Sequence, residues 1–210
     1  KKPAGGGQPD YSEISRLFRI GDMHFTRGSF EEAEQHFIKV LAQDPQHVKA
    51  LDKLGLIYIQ QNQPRKAEMI YRKLFSISQK EPTYYCNYGR CLYNQKRLTE
   101  AVEAYENAIK LDGSKPSRFV SAGQIYYELK DYMKAFGCFQ KAVDLDPDNL
   151  EYLGLAAELA EAVGDHEELR DLLKKMTALD PYNETAKQKL KKLAPAKKVM
   201  AKIKKAIQKD

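Results

Sequence analysis

A glycine returns every 34 residues in this chain, at Gly21, Gly55, Gly89 and Gly123. Twelve residues after each stands an alanine: Ala33, Ala67, Ala101 and Ala135. Four further on comes an aromatic: Phe37, Tyr71, Tyr105 and Phe139. Three beyond those are Val40, Leu74, Ala108 and Ala142, and a weaker fifth copy keeps the register through Ala157, Leu169, Leu173 and Met176. A period of this length means stacked units, because no single unit can bury its own apolar face. Inside a unit the apolar spacing is helical: Leu17, Ile20 and His24 form one stripe, and Ala33, Phe37 and Val40 form another after the break at Gly28-Ser29. Gly21 and Ala33 are expected to face each other where the two helices come closest, a contact that needs little Cβ volume. Phe37 then fills the gap toward the next unit. Pro82 and Pro116 suit helix first turns, where no backbone hydrogen bond is lost.

These residues resemble the tetratricopeptide repeat family. The fourth unit carries the family's pattern on Phe119, Ala122-Gly123, Tyr126, Ala135, Phe139, Ala142 and Pro147, departing only where Ala122 replaces Leu. The second carries it on Leu51, Leu54-Gly55, Tyr58, Ala67, Tyr71 and Leu74, with Gln79 in place of Pro. The first departs at His24, the third at Leu92 and Gly113, and the fifth lacks both the Gly and the central Ala. The resemblance implies an all-α fold, a right-handed superhelical solenoid of antiparallel helix pairs. The expected organisation is a flexible segment 1–13, five repeats at 14–47, 48–81, 82–115, 116–149 and 150–183, a capping helix 184–194 started by Asn183, and a basic amphipathic helix 195–210.

The 210 residues carry a net charge of +6, but ten lysines against one acid between Lys187 and Asp210 supply +9 of it, leaving the body at −3. A nucleic-acid surface over the whole body is therefore excluded as a first reading. The three cysteines, Cys86, Cys91 and Cys138, form no CxxC, so buried thiols in a reducing, cytoplasmic setting are expected rather than a disulfide framework. No stretch is long and apolar enough to span a membrane. The opening glycine-rich segment is expected to be flexible and reads as no signal peptide. His24, His36, His47 and His166 lie in different units, with His24 expected as a packed imidazole, and no nucleophile, phosphate-loop or zinc motif is present. The chain reads as no enzyme, with no cofactor and no metal.

The resemblance implies a concave wall lined by the first helix of each repeat. Along it stand Phe18, Phe25, Lys49, Lys53, Leu56, Ile59, Asn87, Arg90, Tyr93, Asn94, Gln124 and Tyr127, the candidate peptide-binding residues. Phe25, Ile59, Tyr93 and Tyr127 form an apolar ladder. Asn87, Asn94 and Gln124 can pair with the backbone of an extended peptide, and Lys49, Lys53 and Arg90 with an acidic residue in it. The wall turns acidic farther on, at Glu128, Glu151, Glu158 and Glu161. The clamp by which chaperone-binding members hold a C-terminal carboxylate is not matched: Phe18 and Asp22, Asp52 and Leu56, and Cys86 and Arg90 stand where its Lys and Asn belong. The expected function is a non-catalytic adaptor that binds a protein or peptide segment. Two alternatives are a self-associating scaffold and a membrane-recruited assembly factor. Lys197, Lys198, Lys202, Lys204, Lys205 and Lys209 are candidates for contact with an anionic membrane surface or nucleic acid.

Overall fold

The computed structural model describes residues 10–78 and 81–193. Their fold is all-α, a series of antiparallel helix pairs. Two compact units divide the chain, residues 1–113 and 114–210. The first holds α1 (Tyr11–Thr26), α2 (Phe30–Gln43), α3 (Val48–Gln60), α4 (Pro64–Ile77), α5 (Pro82–Asn94) and α6 (Leu98–Leu111). The second holds α7 (Pro116–Glu128), α8 (Tyr132–Leu145), α9 (Leu150–Val163), α10 (His166–Leu179) and α11 (Glu184–Lys192). Each odd-numbered helix up to α9 packs on the even-numbered helix that follows it. Helix α1 begins at Tyr11 rather than beyond residue 13, because the Asp10 carboxylate accepts hydrogen bonds from the Ser12 and Glu13 amides. The segment 195–210, with its six candidate lysines, lies outside the described residues.

Local chemistry sets the helix ends. Pro64, Pro82 and Pro116 occupy first-turn positions. Asp131, Asn149, Asp165 and Asn183 each accept an amide hydrogen bond from the first turn of α8, α9, α10 and α11. Between the paired helices the backbone turns left-handed at the same phase in all five repeats: Gly28 (φ 78°), Asn62 (φ 54°), Lys96 (φ 62°), Lys130 (φ 62°) and Gly164 (φ 79°). That conformation closes a helix end with little steric cost only for glycine and asparagine.

The repeating glycine answers first to the aromatic, and at Gly89 also to the Ala101 carbonyl, 3.2 Å from an added Cβ. A Cβ on Gly21 would lie 2.9 Å from Phe37 Cε1, and one on Gly55 would lie 2.8 Å from Tyr71 Cζ. The ring packs against the glycine of the first helix of its own repeat, and Ala33 is fully buried in the same cluster. The core follows as a row of clusters. Ile14, Leu17, Ala33, Phe37 and Val40 meet Ala50 and Ile57 from the next repeat. Leu51, Leu54, Tyr58, Ala67, Tyr71 and Leu74 meet Cys91 from the third. Polar ties cross the same seams. The Tyr58 hydroxyl donates to Glu34 at 3.0 Å, and the Cys91 thiol donates to the Pro64 carbonyl at 2.8 Å. Burial and the Glu34 bond push the Tyr58 phenol up to about 12. His24 stacks on His36 with ring centroids 5.6 Å apart, both half-buried.

Candidate peptide-binding surface

In the first unit α1 touches α3 and α3 touches α5, whereas α2, α4 and α6 make no comparable contacts with one another. The first-helix side is therefore the tighter, inner side, and ten of the twelve candidate residues belong to it. Lys49 is exposed, with no ion-pair partner among the described residues. Lys53 sits 2.6 Å from the Asp22 carboxylate of α1 and 4.5 Å from the centre of the Phe25 ring. Its charge is already spent on a neighbouring repeat. Phe18 is half-buried between Phe37 and His47, with ring centroids at 5.6 and 5.1 Å. Phe25 meets Phe30 edge-on at 5.8 Å. Both phenylalanines form floor rather than projecting contacts.

Ile59 departs from the expected ladder. It is only 8% exposed and belongs to the core beneath the second repeat, so it offers a ligand almost no surface. A helix stripe is about 100° wide, and the edge of this one falls under the adjoining helix. Leu56 and Tyr93 remain half-buried, with the Lys96 ammonium 5.5 Å from the Tyr93 ring centre, and Asn94 is exposed.

A polar cluster occupies the wall between α3 and α5. The Asn87 amide donates to the Asp52 carboxylate at 3.4 Å, a long bond. Burial pushes the Asp52 carboxyl up, against the pull of Asn87 and Lys53. The Arg90 Nε is enclosed and has no hydrogen-bond partner among the described residues, and the Tyr71 hydroxyl is enclosed beside Asp52 and Asn87. Burial and the Asp52 charge also push the Tyr71 phenol up. Asp52 and Tyr71 were not among the residues expected to bind. Their signal in the sequence is the offset itself: Asp52 and Asn87 are 35 apart, so one repeat plus one residue brings them side by side.

In the second unit, Gln124 is exposed and Tyr127 is 52% exposed, with its ring edge-on to Tyr132 at 5.5 Å. Helix α9 exposes Glu151, Glu158 and Glu161, and Glu161 contacts Lys189 of α11 at 2.5 Å. Among the described residues no group of three or more His, Cys, Asp or Glu side chains is placed to hold a metal ion. No described helix is long and apolar enough to cross a membrane.

No curated protein is similar enough in sequence to count as a relative. Among solved structures, MamA superposes with a TM-score of 0.71 at 23% identity, over 79% of this chain and 97% of that one. PilF of Pseudomonas aeruginosa superposes with a TM-score of 0.67 at 23% identity, over 83% and 80%. YrrB, described as a repeat protein with an unusual peptide-binding site, superposes with a TM-score of 0.69 at 15% identity, over 87% and 94%. Such likeness shows the fold alone. Tetratricopeptide repeat profiles match residues 13–80, 82–114 and 118–149, well over half of the chain. The chain therefore belongs to the tetratricopeptide repeat family, whose α-helical superhelix is a non-catalytic scaffold for binding proteins and peptides.

Proposed function

We propose that the first unit is an adaptor surface that holds an extended partner segment along the inner side of α1, α3 and α5, and that this segment carries an acidic residue. The observation that carries the reading is Arg90. Its Nε is enclosed in the wall without a partner among the described residues. A buried donor left unpaired costs about 1–3 kcal/mol, and turning the half-buried guanidinium outward to meet a ligand carboxylate relieves that cost. Lys49 adds an exposed positive charge on the neighbouring helix, while Lys53 stays with Asp22. The Asp52–Asn87 pair supplies an acceptor and an amide on the same wall for the backbone of a bound segment. Phe18, Leu56 and Tyr93 supply half-buried apolar floor on either side.

Selection of peptides from a random display library on the whole chain tests this. The retained sequences are expected to be enriched in Asp or Glu at one position. Arg90→Ala is expected to weaken the best of them roughly tenfold, an energy in the range of one charge-assisted hydrogen bond. Retention of sequences without acids, or affinities untouched by Arg90→Ala in a variant of unchanged circular dichroism, overturns the proposal.

A further inference from the structure

We propose that the lysine-rich segment 194–210 docks on the exposed face of α9 within its own chain. Helix α9 carries no lysine or arginine, yet Glu151 and Glu158 stand exposed on it seven residues apart, two turns along one face. Between them lie half-buried Leu155 and Gly154, where an added Cβ would meet nothing within 4 Å. The face thus carries Leu155 and an open gap at Gly154 between two exposed acids.

Three observations select the occupant. The first is an existing contact of the same kind: Lys189 of α11 already sits on Glu161 at 2.5 Å, near the C-terminal end of α9. The second is where the chain leaves. Helix α11 ends at Lys192, one turn beyond that contact, so the chain leaves α11 close to a lysine that already reaches α9. The third is composition. The 17 residues from 194 to 210 hold six lysines and one acid, interleaved with Val199, Met200, Ile203 and Ile207. From Glu151 to Glu161 is about 15 Å of helix, and 17 residues span about 25 Å even when fully helical. The segment therefore reaches along the whole acidic edge with length to spare. Docked there, its lysines meet the glutamates and its apolar residues cover Leu155 and the gap at Gly154.

Zero-length carbodiimide coupling of the full chain tests the proposal, using a mixture of unlabelled and nitrogen-15-labelled protein. Peptides joining Lys202, Lys204 or Lys205 to Glu151 or Glu158 are expected, with both halves carrying the same isotope. Release of the tail by trypsin supplies the second measurement. Glu151→Gln combined with Glu158→Gln is expected to speed release roughly threefold or more, and added salt to do the same in the parent. Both glutamates are exposed, so the variant is expected to keep the parent's circular dichroism. Tail lysines joined elsewhere or nowhere, or equal release rates, overturn the proposal. Mixed-isotope links assign the face to a second copy and overturn docking within one chain.

Discussion

Lys96 and Lys130 hold left-handed backbone angles at the turns where Gly28 and Gly164 hold the same conformation without strain. A side chain there costs about 1–2 kcal/mol, part of which glycine gives back through the freedom of its unfolded chain. Lys96→Gly and Lys130→Gly are each expected to raise stability by about 0.5–1 kcal/mol in urea titrations. The opposite sign is expected inside the helices. An alanine at Gly55 would place its Cβ 2.8 Å from Tyr71 Cζ, in a core where the fully buried ring cannot retreat. Gly55→Ala is expected to cost about 1–3 kcal/mol by the same titration. Asp52 is a third kind of case, because burial raises its carboxyl above the ordinary value of 3.8. Ionising it opposes folding, so the favourable balance exists below 3.8 and is lost as pH rises through the folded value. Asp52→Asn is expected to melt higher than the parent at pH 7, with the gain vanishing toward pH 3. The periodic glycines were legible in the sequence because a ring leaves no room for a Cβ, whatever its neighbours do. Ile59 and Lys53 were not. Whether a stripe-edge residue is covered, or a lysine is spent on Asp22, depends on side-chain packing between repeats that spacing does not specify.

Helix by helix, the ends were more legible than the contacts between them. Pro82, Pro116 and Asn183 announce their helices because a missing N–H or a short acceptor acts within one turn. The start of α1 went unread. Asp10 caps it ahead of Ile14 and Leu17, where the apolar stripe first shows. The seam between α4 and the α5–α6 turn rests on Glu68, only 13% exposed, which accepts from Arg72 at 2.9 Å, Gln95 at 3.0 Å and Arg97 at 2.7 Å. Burial alone would raise its carboxyl, but these three bonds outweigh burial and hold it below the ordinary 4.5. Its contribution is therefore full above 4.5 and is lost as pH falls, the reverse of Asp52. Glu68→Ala is expected to cost about 1–3 kcal/mol at neutral pH and progressively less as pH falls below 4.5, measured by thermal melting across that range.

At the scale of the whole chain, stability is expected to be graded rather than uniform. Each repeat leans only on its neighbours, and α11 contributes a single buried residue, Ala186, to the array. Amide hydrogen exchange is expected to release α11 first and to protect α3 and α4, which carry ten of the buried core residues of the first unit. Fold class was open to reading because five copies of one pattern average away local ambiguity. The binding wall was only half legible, since the family pattern marks which helix faces inward but not which of its side chains are already engaged. The recurring left-handed turn has a further consequence, for how such a chain is edited. Gly28, Asn62, Lys96, Lys130 and Gly164 give every hairpin the same hinge geometry, spaced by one 34-residue cassette. A deletion or duplication that cuts at two of these hinges rejoins backbone of matching shape. The chain is built so that recombination shortens or lengthens it by whole modules, leaving each surviving hairpin to close as it did before.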